Sequence, residues 1–389
     1  MARTTHSSSS LETFYYKSLS LFEMIDRRQV ENIVNKYDSK NITIGTIGSH
    51  SALEIMDGAK DEDIKTVCIC QKGRELPYQR FKRLTDEIII LDRFSDILNQ
   101  EYQEKLIQLN TIIIAHRAFT AYLGYDNIEK NFEIPIFGNR QLLRAEERVS
   151  DRNQYYLLEK ASIRHPRIYT KPSQIDGLAI VKVQEAKRKL ERAFFLVSSY
   201  DDYLKKSSLK IGQGVISEDD LRSSTIEEYV IGTYFNLNYF YSPIRQETEF
   251  LGIERRLQTN IHDFVTSVPA KQQMEINLEL QNIEVGHTPA SIRESLLDKV
   301  FKMGDDFIAT VKREYPPGII GPISLQCIVT VELDFVVYDV SLRVPGNPIM
   351  ATTSPYTKYY YGRTMGTGRR IAMEIKNAIQ YGRLAEVVT

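Results

Sequence analysis

The sequence lacks three features that would assign it to a broad class directly: paired cysteines, an excess of one charge and a long apolar run. Its 389 residues contain three cysteines, of which Cys68 and Cys70 lie in one apolar stretch and Cys327 lies far away. An odd count without paired spacing argues against both a disulfide framework and a zinc site. We therefore expect three core thiols in a protein of the reducing cytoplasm.

The charge balance and the short apolar runs exclude further classes. The 50 Lys and Arg residues are matched by 51 Asp and Glu residues, which gives a net charge of −1. Non-specific binding to nucleic acid or to an anionic membrane needs a basic excess, so neither partner is expected. The apolar runs are too short to cross a bilayer, and the first residues lack the apolar core of a signal peptide.

Short apolar strands alternate with helical patterns through the first 140 residues, as in NITIGTIG, TVCICQ, EIIILD and TIIIAH. Continuous β-branched runs separated by helices predict a parallel sheet that is covered on both faces. We therefore predict an α/β domain with a doubly wound parallel sheet over residues 26–140. Residues 1–25, which are rich in Ser and Thr at their start, are predicted to be a disordered tail.

Polar residues follow three of these predicted strands. His50 comes directly after the first strand, Lys72 and Arg74 follow the second, and His116 with Arg117 follows a later one. Parallel sheets bind ligands beyond the carboxyl ends of their strands, where glycines let backbone N–H groups approach an anion. The pattern therefore favours an anionic, phosphorylated small molecule near His50. The alternative is that His50 bonds to the N-terminus of its own helix.

The centre of the chain is predicted as a long helix followed by strands. Residues 139–163, NRQLLRAEERVSDRNQYYLLEKASI, have a helical pattern, whereas LAIVKV and RAFFLVSS read as strands. Residues 224–242, STIEEYVIGTYFNLNYFYS, are predicted as one long β segment. Lys182 lies within the first of these strands, where burial of an ammonium group without an anion is very costly.

Two strands joined by a tight turn near Glu332 are predicted in ISLQCIVTVELDFVVYDVSLRV. With the turn there, Gln326 lies opposite Asp339, and alternation places Asp339, Ser341 and Arg343 on one face. Carboxylate and amide oxygens of this kind suit Mg²⁺, which completes its shell with water and phosphate oxygens. The alternative is a solvated face with an incidental ion pair.

Lys182, the Glu-Glu-Tyr-Val stretch and this hairpin follow one another in the chain. They supply a cation for phosphate, a backbone edge for adenine and oxygen ligands for magnesium. Together these are the parts that a nucleotide-binding site needs.

This order resembles the ATP-grasp superfamily, in which two α+β subdomains close over ATP. More closely, the chain is similar to the archaeal 5-formaminoimidazole-4-carboxamide ribonucleotide synthetases from about residue 30 to the C-terminus. The stretches that carry the resemblance are IGTIGSHSALEIMDGAK, VCICQKGRELPYQRF, YDNIEKNFEIPIFGNRQLLR, TIEEYVIGTYFNLNYFYSPI, IRESLLDKVFKMGD, PPGIIGPISLQ and MGTGRRIAMEIKNAI. The resemblance implies an ATP-grasp domain of two subdomains over residues 141–389.

The resemblance also implies an activity. Formate would be joined to the 5-amine of 5-aminoimidazole-4-carboxamide ribonucleotide (AICAR) in purine biosynthesis, with ATP converted to ADP and phosphate. ATP would be used with Mg²⁺ or Mn²⁺, and the protein would be a homo-oligomer, a trimer or a hexamer. No residue is assigned to catalysis, because no histidine or carboxylate has a spacing that identifies it.

The matching motifs imply which residues bind each ligand. His50 and His287 match substrate-contacting positions, and Gln326 and Asp339 match the metal pair. The positions that match ATP contacts are Lys182, Glu227, Glu228, Tyr229, Val230 and Gln258.

The chain departs from the family pattern at several of these places. Residues 184–192 contain no glycine, so Lys187, Arg188 or Arg192 is expected to contact phosphate in place of a glycine-rich loop. Ala118 stands where a substrate-contacting serine is expected. The departures leave two alternatives: an ATP-grasp ligase for a different carboxylate and amine, or a non-catalytic nucleotide-binding subunit.

Overall fold

The computed structural model describes residues 24–148, 150–183, 194–258 and 284–389. The described chain divides into two compact units, one of residues up to Leu143 together with Ile371–Thr389 and the other of Arg144–Arg370. The sequence predicts a first domain that ends at residue 140, without this C-terminal return. None of the described helices has both the length and the apolarity that a membrane crossing requires. Almost all of the predicted tail over residues 1–25 lies outside the described ranges.

Five parallel strands form the centre of the first unit. They are β1 Thr43–Ile47, β2 Lys65–Gln71, β3 Glu87–Leu91, β4 Thr111–Ile114 and β5 Ile136–Phe137. Their order in the sheet is β3-β2-β1-β4-β5. Every residue of β1 and β4 is buried, as expected for β-branched strands that are covered on both faces. The predicted parallel sheet is therefore confirmed.

Helices cover both faces of this sheet. They are Arg27–Val34, Ala52–Asp61, Leu76–Arg80, Gln100–Gln108, Arg117–Leu123 and Tyr125–Lys130, joined by the later part of Thr367–Gln380. Alternate residues of β2 enter two separate cores, Val67 and Ile69 on one side and Cys68 and Cys70 on the other. All three cysteines of the chain are buried and free, which confirms the prediction of core thiols.

The C-terminus lies beside β5 in the same unit. Thr389 and Ile136 exchange two backbone hydrogen bonds of 2.9 and 3.1 Å. This pairing extends the edge of the sheet, so the last residues belong to the first unit although they follow the second in the chain.

Two antiparallel sheets form the second unit. Their strands are β6 Ile168–Tyr169, β7 Ala179–Lys182, β8 Phe194–Val197, β9 Thr225–Glu228, β10 Thr233–Ser242, β11 Glu247–Gln258, β12 Glu284–Ala290, β13 Gly321–Val329 and β14 Phe335–Ser341. The smaller sheet has the order β6-β9-β7-β8, and the larger has the order β12-β11-β10-β13-β14. The described helices are Gln154–Lys160, Tyr200–Gly212, Glu218–Arg222, Leu297–Glu314, Met350–Thr353 and Pro355–Tyr361.

The longest of these helices, Leu297–Glu314, covers one face of the larger sheet. The hydroxyl of Tyr239 in β10 donates to the carbonyl of Val300 at 2.9 Å. A Cβ on Gly304 would lie 2.5 Å from the Tyr239 ring, so the helix approaches the strand closely at that glycine. Because side chains alternate along a strand, Asn236 and Asn238 lie on the other face.

The predicted hairpin is present as β13 and β14. Gln326 pairs with Asp339 as the sequence predicted, because a bulge between Gln326 and Cys327 shifts the register of the pairs next to the turn by one residue. Leu333 in the connecting turn has a positive φ of 61°. Every residue of β13 is buried, so the alternative of a solvated hairpin face is wrong for this strand.

Two sequence predictions need correction. The helix predicted over residues 139–163 is two pieces, a 3₁₀ segment Arg140–Glu146 and the helix Gln154–Lys160. Asn153 starts the second piece by accepting from two backbone N–H groups with its side-chain oxygen. The β segment over residues 224–242 is also divided, because β9 and β10 belong to different sheets. Gly232 lies between them, where a Cβ would come within 2.3 Å of the Val329 carbonyl oxygen.

Candidate nucleotide and substrate sites

The predicted anion site lies at adjacent strand ends in the first unit. β1 is flanked by β2 and β4, so the residues that follow these three strands share one edge of the sheet. His50 is exposed, has a positive φ of 47° and does not cap the following helix. Its Nδ1 lies 2.6 Å from Ser51 Oγ. Ser51 is the N-cap residue of the helix Ala52–Asp61, so His50 contacts the start of its own helix and that alternative stays open.

His116, by contrast, is the residue that caps its own helix. Its side chain is fully buried, and its Nδ1 accepts from the Ala118 N–H at 3.2 Å. Its Nε2 lies 2.9 Å from the Ile47 carbonyl oxygen, at the end of β1. The ring of His50 lies nearly parallel to that of His116, with 5.6 Å between the centroids and 16° between the planes.

Lys72 and Arg74 follow β2 and are exposed. Arg74 donates to the Tyr122 hydroxyl at 2.7 Å, and its guanidinium lies within 6 Å of the ring centres of Phe94 and Tyr122. The aromatic rings restrict this cation and leave its charge near the same sheet edge as His50. Lys72, Arg74 and His50 therefore follow adjacent strands at one edge of the sheet.

In the second unit, Lys182 is buried and forms an ion pair with the fully buried Glu227. Tyr155 donates to the other oxygen of the same carboxylate. Burial lowers the pKa of Lys182, and the attraction of Glu227 opposes that shift. The lysine was expected to need an anion, and Glu227 provides one. The family resemblance matched Glu227 to an ATP contact and did not anticipate this pair.

The three residues after Glu227 connect the two sheets. The Glu228 carboxylate accepts from the Arg167 N–H at 3.2 Å, and the Tyr229 N–H donates to the Leu178 carbonyl at 2.9 Å. Val230 is buried against residues of the hairpin. The predicted backbone edge for adenine therefore lies at the junction between the smaller and the larger sheet.

A row of polar side chains crosses four strands of the larger sheet. Glu254 pairs with Asn236, Asn236 with Gln326, and Gln326 with Asp339. Asn236 Nδ2 donates to Glu254 Oε1 at 2.5 Å. The row lies on the face opposite the helix Leu297–Glu314, because Tyr239 of β10 points toward that helix. Buried polar groups on this face need partners that an apolar core does not supply.

The Gln326 side chain fits a metal ligand. Its Nε2 donates to Ser341 Oγ at 3.2 Å, whereas its Oε1 is buried without a hydrogen-bond partner among the described residues. The carboxylate of Asp339 stands opposite it in the register. Amide and carboxylate oxygens suit a hard divalent cation. Among the described residues, no group of three or more His, Cys, Asp or Glu side chains could hold a metal.

Arg148 links the polar row to the buried ion pair. Its Nη2 donates to Asp339 Oδ1 at 2.9 Å, and its Nε lies 3.8 Å from Glu227 Oε1. Burial opposes the charge of Arg148, but Asp339 and Glu227 outweigh that effect and raise its pKa. Arg148 therefore stays charged between two carboxylates.

His287 lies beside the other end of the row. Its Nδ1 is 2.7 Å from Glu254 Oε2, and its Nε2 is 2.8 Å from Glu284 Oε1. Burial by itself would lower the pKa of His287. The two carboxylates more than offset that effect and raise the pKa from 6.5 to about 9. Arg256 lies 3.1 Å from the second carboxylate. His287 is therefore a cation at neutral pH.

Sequence reasoning missed Arg148, Tyr155 and Glu254. The first two lie in the segment that was predicted as one helix, and their partners are distant in sequence. The alternation of Asn236 and Asn238 with apolar residues in β10 could have predicted a polar face on this strand, to which Glu254 of the neighbouring strand also belongs. The side chain of Gln258 and the glycine-free segment 184–192, with Lys187, Arg188 and Arg192, lie outside the described residues.

Comparisons with known proteins identify the fold and the family of the chain. A family model described as "Domain of unknown function (DUF1297)" matches residues 202–389, and one described as "Protein of unknown function (DUF1246)" matches residues 44–169. A solved IMP biosynthesis protein from Thermococcus kodakaraensis has a TM-score of 0.68 and 27% identity, covering 89% of this chain and 100% of that one. The ADP complex of an N5-carboxyaminoimidazole ribonucleotide synthetase, at 14% identity, shares the fold with a TM-score of 0.58 and coverage of 83% and 77%.

Two curated relatives establish the family. A 5-formaminoimidazole-4-carboxamide-1-(beta)-D-ribofuranosyl 5'-monophosphate synthetase from Methanocaldococcus jannaschii is 43% identical over 94% of this chain and 100% of its own. A protein of the same name from Methanothermobacter thermautotrophicus is 41% identical over 94% of this chain and 99% of its own. With its parallel-sheet unit and the two sheets of an ATP-grasp fold, the chain belongs to the family of these synthetases.

Proposed function

We propose that this protein is an ATP-dependent carbon–nitrogen ligase that joins formate to the 5-amine of AICAR in purine biosynthesis. ADP and phosphate would be the other products. The observation that carries the proposal lies in the second unit, where Gln326 pairs with Asp339 and Lys182 forms an ion pair with Glu227. Arg148 contacts both Asp339 and Glu227 and so links the two pairs. This arrangement offers oxygen ligands and cations to one polyphosphate.

Within the second unit, Lys182 and Arg148 would neutralise phosphate oxygens. Glu227 and Asp339 hold these cations in place before ATP arrives. A divalent cation, Mg²⁺ or Mn²⁺, would be held by Gln326 and Asp339 and would neutralise charge on the phosphate that is transferred. The chain between Glu227 and Val230 would meet the adenine with its backbone.

In the first unit, His50 would bind AICAR, and Lys72 and Arg74 would attract its phosphate. These groups share one edge of the sheet, beyond the carboxyl ends of β1 and β2. Formate would be activated as formyl phosphate, and the amine would displace phosphate from it. The chain would then act by positioning reactants and neutralising charge rather than through a covalent intermediate on a side chain.

The test is ADP release by purified protein with Mg²⁺ and ATP. Formate and AICAR are added singly and together, and the nucleotide product is weighed by mass spectrometry. ADP that forms only with both substrates, together with a nucleotide one formyl group heavier, is the expected result. ADP release that does not depend on formate would favour a ligase for a different carboxylate, and ATP binding without turnover would favour a nucleotide-binding subunit.

We further propose that the protein is a homo-oligomer, a trimer or a hexamer, as the family resemblance implies. Light scattering coupled to size exclusion measures its mass directly. A mass near the 44.9 kDa of one chain would contradict this proposal without affecting the proposed activity.

A further inference from the structure

We propose that His116 is a positioning residue for the nucleotide substrate: its neutral ring fixes the end of β1 and supports the ring of His50. This inference rests on the proposed function, which assigns AICAR to His50. The two histidines belong to the same unit and stack with 5.6 Å between their centroids. The side chain of His116 is fully buried, so it does not itself reach the substrate.

The hydrogen bonds of His116 define its protonation state. Nδ1 accepts from the Ala118 N–H, so this nitrogen carries no proton. Nε2 faces the carbonyl oxygen of Ile47 at 2.9 Å and must donate to it. A second proton would place an N–H against the N–H of Ala118 and would bury a charge. The ring is therefore the neutral tautomer that is protonated at Nε2.

This tautomer anchors the tight turn that presents His50. The carbonyl of Ile47 accepts from His116 and also from the Ser49 N–H at 2.8 Å. The Gly48 N–H donates across the sheet to Ile69 at 2.7 Å. The turn then places His50 at φ 47°, a conformation that a residue with a side chain rarely adopts. Such a conformation persists where the surroundings determine it strongly.

The second contribution of His116 is a flat surface. Its ring is 16° from parallel with that of His50, within the range of stacked aromatic pairs. Nδ1 of His50 also lies 2.6 Å from Ser51 Oγ. The hydrogen bond to Ser51 and the stacking on His116 together orient the His50 ring. A side chain that is ordered before binding loses less conformational entropy when the ligand arrives. His116 thereby strengthens substrate binding without touching substrate.

Two variants separate the hydrogen bonds from the ring. In His116→Gln, the amide group can still donate to Ile47 and accept from Ala118, but the flat ring is gone. In His116→Phe, the ring remains, but both hydrogen bonds are lost. Titration calorimetry of the full chain measures Kd for AICAR and for ATP, and thermal unfolding measures Tm.

We expect His116→Gln to keep a Tm close to that of the unchanged protein, to bind AICAR about 3- to 10-fold more weakly and to bind ATP equally well. We expect His116→Phe to have a lower Tm, because it leaves buried polar groups unpaired, and to bind AICAR about 3- to 10-fold more weakly while folded, because the turn that presents His50 loses its anchor. Unchanged AICAR affinity in both variants would overturn the positioning role. Equal loss of AICAR and ATP affinity would also overturn it, because that result indicates general damage.

NMR of protein labelled with ¹⁵N at histidine gives an independent reading. The chain has six histidines, and the variants identify the signals of His116. A ring protonated at Nε2 alone, both free and with AICAR bound, is expected; an Nδ1-protonated ring or an imidazolium would overturn the assignment. Failure of the unchanged protein to bind AICAR would instead contradict the proposed function, and that control precedes every variant.

Discussion

Arg148 donates to Asp339 across 2.9 Å and thereby occupies one oxygen of the carboxylate that pairs with Gln326. The same guanidinium approaches Glu227, the partner of Lys182. One side chain from a loop thus joins the larger sheet, which carries the proposed metal ligands, to the smaller sheet, which carries the lysine proposed to bind phosphate. These ion pairs hold the four side chains together in the second unit before any ligand binds.

Replacing Asp339 by alanine should abolish ATP turnover and leave the fold intact. The variant removes the carboxylate of the proposed metal pair, and a loss of roughly 100-fold or more is expected if the metal neutralises charge in the transition state. ADP release measures the effect. The matched control is Asp334→Ala, because Asp334 lies in the same hairpin but is about half exposed and pairs with surface cations. Unchanged turnover in Asp339→Ala would mean that the hairpin is not the metal site.

Replacing His50 by alanine should weaken AICAR binding far more than ATP binding. Loss of a hydrogen bond to a charged ligand predicts a Kd for AICAR about 10- to 100-fold higher, with the Kd for ATP unchanged. Calorimetric titration with each ligand separates the two effects. Lys40→Ala is the control, because Lys40 is exposed in the loop before β1, at the amino end of the strand rather than at its carboxyl end. Equal weakening of both ligands would place His50 outside the substrate site.

The sequence predicted the parallel sheet and the hairpin register because both depend on local patterns. Buried β-branched runs identify parallel strands, and a turn of known position fixes which residues face one another. Gln326 and Asp339 were therefore predicted as a pair before their surroundings were known. The turn alone does not set this pairing, because Cys327 faces Val337 on the turn side of the bulge. The bulge between Gln326 and Cys327 shifts the register by one residue and brings Gln326 opposite Asp339.

The partners of charged residues were not predictable in the same way. Arg148 meets Asp339 at a separation of 191 residues, and Lys182 meets Glu227 at a separation of 45. No periodicity relates such positions, because the folding of two sheets brings them together. Asn153 likewise ended a helical pattern by capping a new helix, since a side-chain cap can interrupt a sequence that is otherwise compatible with one helix.

The buried pair of Lys182 and Glu227 should show strong coupling in a double-mutant cycle. Lys182→Met leaves the buried carboxylate with only Arg148 and Tyr155 beside it, and Glu227→Gln leaves a buried ammonium without its carboxylate, so each should cost about 3 kcal/mol of unfolding free energy. The double variant should cost about 1 to 3 kcal/mol less than their sum. Urea denaturation measures all four proteins. The exposed pair Lys302 and Asp306 is the control, with expected coupling below about 0.5 kcal/mol. Additive losses at the buried pair would contradict the ion pair.

His287 should make stability depend on alkaline pH. Burial lowers its pKa, but hydrogen bonds to Glu254 and Glu284 raise it in the folded protein from 6.5 to about 9. Because the pKa is higher in the folded than in the unfolded protein, protonated His287 contributes its full stabilisation below pH 6.5, the unfolded pKa. This contribution declines above pH 6.5 and is lost as the pH rises through about 9. Asn236 and Arg256 also face these carboxylates, at 2.5 and 3.1 Å, and partly satisfy them without the imidazolium.

Comparison of the unchanged protein with His287→Asn isolates this contribution. The difference in unfolding free energy should be largest near pH 6, no more than about 3 kcal/mol, and should vanish near pH 10. Glu284→Gln is the matched variant, because it removes one of the two carboxylates and should reduce the pH dependence without abolishing it. Urea denaturation at several pH values measures the three proteins. A difference between the unchanged protein and His287→Asn that stays constant from pH 6 to 10 would show that His287 is not held as a cation between Glu254 and Glu284.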